Sequence, residues 1–393
     1  MVEKLKKICL ITGSRAEYGL LKSIIKKINN SESLELKLVV TGMHLSSEFG
    51  HTFKEIESDG FYINKKVEIL LGSDSSISIT KSMGLAMISF SEVFDQLRPD
   101  LVLILGDRFE IFAAASAAMV ACIPIAHIHG GELTEGAIDD AMRHSITKMS
   151  HLHFVASAEY KSRVIQLGEQ PDKVFNVGSL GIENIKKTKL LSKVELESNL
   201  KLKFLRRNLL ITFHPTTLES GLNLSHMNNL LNALSSLKDT NLIFTYPNAD
   251  AEGRILINKL KEFCSKENNA RSFASLGQIK YFSCINYVDG VIGNSSSGLI
   301  EVPTFKKGTI NIGNRQKGRM KANSIIDCGT DTLEIVKAIE KLYSKEFQRD
   351  LLKVVNPYGQ DNSSSKIIKI LESINLNNIH KKSFYDINLD SKL

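Results

Sequence analysis

Hydrophobic and polar positions alternate between short, nearly continuous apolar runs and longer stretches of helical period. Residues 7–12 (KICLIT) are an apolar run of strand length stopped by Gly13-Ser14-Arg15, after which Leu20, Leu21, Ile24, Ile25 and Ile28 share one helix face. Residues 34–41 (LELKLVVT) form the next strand and end at Gly42-Met43-His44. Strand, helix and strand at this spacing predict a parallel βαβ unit. The alternation continues with a helical period over 79–97, a strand at 101–105 and an Ala-rich helix over 111–120. A strand at 123–128, a helix over 138–150 and a strand at 153–156 follow, and residues 164–178 close this half. Residues 185–207, rich in Lys and Leu without turn punctuation, predict a helical connector. A second βα series starts at 208–213 and continues with strands at 241–246, 289–292 and 309–312. An amphipathic helix over 366–374 closes the chain, with a loosely held tail expected beyond 376.

This order predicts an α/β protein of two Rossmann-like domains, 1–180 and 181–365, with 366–393 as closing helix and tail. The length of 393 residues agrees, at roughly 100–200 residues per domain. Both halves end their strands in polar, Gly-rich turns. Ligands of parallel sheets bind at those strand ends, so a cleft between the two sets of turns is the expected site.

Composition narrows the classes. The chain is 42% hydrophobic and 24% charged, with a net charge of +7 spread along the sequence. No groove-reading motif or basic stripe with aromatics accompanies that charge, which argues against nucleic acid; a mild positive balance suits an anionic small substrate. No apolar run approaches the roughly 20 residues of a membrane span, and the first residues do not read as a signal peptide. A cytoplasmic protein without membrane contact is expected. The five cysteines are scattered without a CxxC pair, so neither a disulfide framework nor a zinc ribbon is expected. Cys9 and Cys122 fall within strand patterns and read as small core residues.

Candidate chemistry concentrates in residues 101–153. Asp107 stands between Gly106 and Arg108 at a strand end, and His127, His129 and Glu132 alternate at the next one. Glu132, with Glu135 and Asp139 close behind, can form an acid/base group whose mutual repulsion spreads the pKa values. Asp139 and Arg143 are four apart on a helix, as are Asp140 and His144, so each pair shares a face; ion pairing on the helix surface accounts equally well for Asp139 and Arg143. A metal site at His127, His129, Glu132 and Asp139 is a competing reading that lacks any short-range ligand motif. The turn 13–19 (GSRAEYG) opens a helix after a strand, where amides and Arg15 can hold an anion. It is not GxGxxG, which counts against a nicotinamide cofactor. The turn Gly293-Asn294-Ser295-Ser296-Ser297-Gly298 offers hydroxyls and amides to a diphosphate, and Glu301 can accept from a ribose diol. Its rival reading is a Ser-rich helix cap. The turn 247–250 ends another strand of this half. His214 after a strand is as well explained by packing as by catalysis. Arg315, Lys317 and Arg319 read either as a solvated loop or as a clamp on a nucleotide.

GSRAEYG, VTGMH, LGDRFEIF, HIHGGE, DDAMRHSITKMSHLH, RVIQLGE, FHP and GNSSSGLIEVP occur in this order over residues 7–330. As a set they resemble the hydrolysing UDP-N-acetylglucosamine 2-epimerases of bacterial sialic acid synthesis. The resemblance implies a glycosyltransferase-B-type fold with the active site in the interdomain cleft, a homo-oligomer (usually a dimer), and no metal or redox cofactor. It implies a two-step reaction: UDP is eliminated across C1–C2 to give 2-acetamidoglucal, and water adds to give N-acetylmannosamine. It assigns acid/base roles to Asp107 and Asp139. His214 matches a histidine near the diphosphate, and Arg15, Ser295, Ser296 and Glu301 match UDP contacts; Ser297, Arg143 and Arg315 complete the candidate binding set. Many relatives carry glutamate where His129 stands, so either His129 or Glu132 fills the second proton-transfer role. The same family includes enzymes acting on UDP-N,N′-diacetylbacillosamine, which these motifs do not separate.

Overall fold

The computed structural model describes residues 5–73, 75–134, 137–216, 221–247, 252–359 and 362–387. Thirteen strands among them form two sheets. The first contains β1 (Lys6–Thr12), β2 (Leu34–Thr41), β3 (Lys65–Val67), β4 (Leu101–Leu105), β5 (Ile125–Ile128), β6 (Leu152–Val155) and β7 (Val174–Asn176). The second contains β8 (Arg207–Thr212), β9 (Thr240–Thr245), β10 (Ala270–Phe273), β11 (Gly290–Gly293), β12 (Gly308–Ile312) and β13 (Ile325–Cys328). The orders are β3-β2-β1-β4-β5-β6-β7 and β10-β9-β8-β11-β12-β13. Every pairing is parallel. The molecule is therefore α/β with two Rossmann-like lobes of glycosyltransferase-B type.

Continuous apolar runs become strands here because both sheet faces are covered by helices, so no polar alternation is needed. Leu10, Leu103 and Ile128 face one core with Leu21, Ile24 and Ile28, while Cys9, Val102 and Ile104 face another with Phe90 and Ala114. The second sheet is covered in the same two-sided way. Strand order reverses between β1 and β4 and between β8 and β11. The turns at 13–15, 106–108, 213–214 and 293–297 all leave strands at these two switch points, where ligands of open α/β sheets bind.

Five expectations need correction. The strand foreseen from 123 begins at Ile125, because Pro124 supplies no N–H to the ladder. Cys122 is consequently exposed in a left-handed turn rather than in the core. The connector over 185–207 is two helices, Leu180–Lys187 and Lys193–Leu200, the second started by a reciprocal capping box between Ser192 and Glu195. The closing helix, Ser363–Ser373, begins three residues before the expected start and packs Ile367, Ile368 and Leu371 into the N-terminal lobe's core. Its N-terminus is fixed by the Glu183 carboxylate, which accepts from the Ser364 backbone N–H at 2.6 Å and its hydroxyl at 2.5 Å. The tail past 376 is tied down as far as it is described. Lys382 donates to the carbonyls of Lys148 and Ser150, and Tyr385 donates its N–H to Gly168.

Candidate active site

A cavity of about 370 Å³ lies between the lobes. Arg15, Asp107, His129, Glu132 and Arg143 line it from the N-terminal lobe, and His214, Ser295, Ser296, Ser297, Glu301 and Arg315 from the C-terminal lobe. Asp139, given an acid/base role by the resemblance, is not in its lining; it opens the helix Asp139–Met149 and is half-buried. His127, Asp140, His144 and Lys317 are not in the lining either. Glu135 and residues 248–250 lie outside the described residues.

Asp107 follows a turn that is held from behind. His127 is fully buried and donates Nε2–H to the Gly106 carbonyl at 2.7 Å, while its Nδ1 accepts from the Thr147 hydroxyl at 3.2 Å. A carbonyl only accepts, so this geometry defines the tautomer. Burial keeps the ring neutral, with its pKa pushed down to about 3. Both nitrogens being engaged, His127 is no metal ligand. Among the described residues no group of three His, Cys, Asp or Glu side chains can hold a metal ion. Arg143, read either as a binding residue or as half of an ion pair on the helix surface, is buried: it bonds Asp107 and donates to the Thr134 hydroxyl at 3.0 Å. Asp140 and His144 do pair on the helix face, at 3.5 Å.

His129 leaves β5 with φ at +67°, in the left-handed region that non-glycine residues seldom enter. Such conformations persist where surrounding structure over-determines them, and they cluster at functional sites. Here the His129 N–H bonds the Phe154 carbonyl at 2.9 Å. Gly131 continues the bend at φ +78°, where a Cβ would lie 2.6 Å from the Tyr160 carbonyl oxygen, so only glycine fits. The ring's Nδ1 lies 3.0 Å from Glu132 Oε1, and its Nε2 makes no hydrogen bond among the described residues. Glu132 is buried, which by itself would raise its pKa. The Arg319 guanidinium at 2.8 Å and neighbouring His129 outweigh burial and hold it at about 2.

The opposite wall is one hydrogen-bonded unit. Asn294 clasps His214 from both sides, accepting from its N–H at 2.7 Å and donating to its carbonyl at 2.8 Å. Arg315 and Gln316 donate to the Asn294 carbonyl at 3.2 and 2.8 Å. Gly293 permits the close approach of this turn to β8, since a Cβ there would lie 1.8 Å from the Thr212 oxygen. Tyr281 donates to Ser297 at 2.8 Å, and Ser297 donates to Glu301. Burial pushes Glu301 up to about 7, against the opposing pull of Ser297. Arg15 crosses from the other lobe, with Nε 2.7 Å from Glu55 Oε2 and its guanidinium beside Gly277. The wall thus offers hydroxyls, amides and cations to a diphosphate, and a titrating carboxylate to a diol.

The family described as UDP-N-acetylglucosamine 2-epimerase matches residues 26–372. The chain belongs to this 2-epimerase family. It is 46% identical to the GDP/UDP-N,N′-diacetylbacillosamine 2-epimerase (hydrolyzing) of Campylobacter jejuni over 97% of this chain and 99% of that protein. It is 43% identical to polysialic acid biosynthesis protein P7 of Escherichia coli, over 98% of each. Among solved structures, the UDP-GlcNAc 2-epimerase from Neisseria meningitidis bound to UDP-GlcNAc superposes with a TM-score of 0.78 at 19% identity. That match covers 93% of this chain and 99% of that one, and it supports the two-lobed epimerase fold.

Two features of this epimerase's site escaped the motifs. Tyr281 and Thr134 carry no sequence signal of their own. Arg319 stood in a basic cluster whose members part company in the fold: Lys317 is exposed, Arg315 half-buried at the cavity, and Arg319 buried across the lobe boundary.

Proposed function

We propose that this chain is a hydrolysing 2-epimerase that converts UDP-N-acetylglucosamine to N-acetylmannosamine and UDP. The observation that carries it is the division of the cleft: acid/base groups on one wall, diphosphate and diol donors and acceptors on the other. In the first step a base removes H-2 and its electrons form C1=C2, while the C1–O bond breaks and UDP departs. In the second, water oxygen adds to C1 and a proton adds to C2 from the opposite face. Asp107 and His129 are the proton-transfer groups in this reading. Glu132 keeps the His129 Nδ1–H oriented, leaving Nε2 for substrate, and Asp139 completes the acid/base set from the head of its helix. Arg15, Arg143, His214, Ser295, Ser296, Ser297, Glu301 and Arg315 bind UDP and the sugar. A neighbouring fold bound to UDP-GlcNAc and a relative named for polysialic acid biosynthesis support the substrate and a place in sialic acid synthesis.

The relative at 46% identity favours a second substrate, UDP-N,N′-diacetylbacillosamine, for legionaminic acid synthesis. The two differ at C4 and C6. Comparing kcat/KM for the two nucleotide sugars decides between them, and a clearly higher value for the diacetamido compound would replace the first reading.

The protein is taken to act in the cytoplasm as a homodimer. No helix among the described residues is long and apolar enough to cross a membrane. Ile77, Leu85 and Ile88 on the helix Ser76–Leu97, and Met119 and Val120 at the end of the helix Phe109–Val120, are exposed apolar side chains that suit contact with a second copy. A single-chain mass by light scattering at micromolar concentration contradicts the dimer.

Glu301 gives the nucleotide site a pH dependence. Its ionised form is the acceptor for a diol, so UDP affinity is expected to weaken as pH falls below its raised value of about 7. The limiting slope for one proton is about tenfold per pH unit. Calorimetry on wild type and Glu301→Gln checks this; parallel pH profiles would remove Glu301 from the diol role.

A further inference from the structure

Arg319 is one of the side chains that join the two walls of the cleft. Arg319 follows β12 in the C-terminal lobe, four residues after Arg315. Each of its three side-chain nitrogens contacts residues 132–134 of the N-terminal lobe. Nη1 lies 2.8 Å from Glu132 Oε2, Nε donates to the Leu133 carbonyl at 2.8 Å, and Nη2 donates to the Thr134 hydroxyl at 3.1 Å. The Arg319 side chain is 5% exposed and that of Glu132 3%. With its nitrogens so engaged, Arg319 is not the phosphate clamp that its place in the basic cluster suggested.

The Thr134 hydroxyl is where two arginines meet. It accepts from Arg319 of one lobe and from Arg143 of the other, and Arg143 holds Asp107. Arg319 thus reaches both proton-transfer groups: His129 through Glu132, and Asp107 through Thr134 and Arg143. In the other direction it shares a short loop with Arg315 and Gln316, which bond the residue that opens the serine turn. The crossing is buttressed at the next residue, where the Met320 carbonyl accepts from Tyr358 at 3.1 Å. The segment it organises has little regular structure: His129 and Gly131 are left-handed, and residues 131–134 belong to no helix or strand.

We propose that Arg319 is a positioning residue that sets the Glu132–His129 pair for proton transfer only while the nucleotide wall is docked against it. The inference rests on the 2-epimerase reading above and on His129 as a proton-transfer group. A buried ion pair of this kind is weak evidence for stability, since desolvation offsets its attraction. Its value here lies in geometry: a misplacement of about 1 Å at a reacting group can cost about 100-fold in rate.

Arg319→Met and Arg319→Lys test it, with kcat and UDP affinity measured for each. Arg319→Met is expected to lose about 100-fold in kcat while retaining UDP binding. Arg319→Lys restores the charge without the fork, and kcat recovers in part. An unchanged kcat in Arg319→Met overturns the proposal. So does a parallel fall of kcat and UDP affinity, which is what a merely structural role gives. If Arg319→Met fails to fold, Arg319→Lys decides alone: a reduced kcat with UDP affinity kept supports positioning, and a wild-type kcat refutes it. A wild-type protein that releases no UDP from either nucleotide sugar refutes the function itself, a result distinct from all of these.

Discussion

Replacing Asp107 with asparagine is expected to lower kcat by about 1,000-fold while calorimetry still detects UDP binding. The side chain sits at the sheet's switch point, lines the cavity and is bonded to Arg143. Asparagine keeps its shape but has no oxygen that can take up H-2. A positioned general base contributes roughly 10²–10⁴-fold, and elimination across C1–C2 cannot begin without one. The proposed UDP contacts lie mainly on the other lobe, so UDP binding is expected to survive the change. Turnover within tenfold of wild type, read by UDP release, would strike Asp107 from the catalytic set.

The second large effect separates His129 from Glu132. Both Glu132 oxygens face other side chains, one toward Arg319 and one toward His129, whereas His129 has an unbonded Nε2. His129→Asn, chosen because asparagine tolerates a left-handed backbone, is expected to cost about 100-fold or more in kcat. Glu132→Gln keeps the packing and loses the charge. It is expected to cost far less. Comparing kcat of the two variants checks this. Should Glu132→Gln be the more damaging, with His129→Asn nearly active, the roles are exchanged.

Much of the architecture was legible because both faces of each sheet are buried. The run at 101–105 coincides with β4, since a fully covered parallel strand reads as unbroken hydrophobicity, and 34–41 coincides with β2, whose first half alternates at Glu35 and Lys37 where it is only half-buried. Candidate residues were found for a related reason: strand ends near a switch point are where Gly, Ser, Asp and His depart from that pattern. What escaped is decided by contacts distant in sequence. Arg143 looked like one half of a surface pair because helical spacing speaks only of its own helix; its burial against Asp107 and Thr134 needed the loop to fold back. Arg319 and Glu132 are 187 positions apart, and nothing local distinguishes Arg319 from exposed Lys317. His127 on β5 and His129 just past its end are two apart, yet one is a neutral prop and the other lines the cavity. On a strand buried on both faces, alternation no longer tells inside from outside. The tail past 376 looked loose because its anchors lie far away in sequence: Lys382 pairs with Glu169 and bonds two backbone carbonyls, and Tyr385 bonds a third.

Abstraction of H-2 followed by loss of UDP is the central claim, and the fate of the C2 proton tests it most directly. UDP-N-acetylglucosamine incubated with the wild-type protein in deuterated water, followed by NMR, is expected to give free UDP in step with N-acetylmannosamine carrying deuterium at C2. Released N-acetylmannosamine that retains the original proton at C2, or an accumulating UDP-linked epimer without free UDP, would contradict the account.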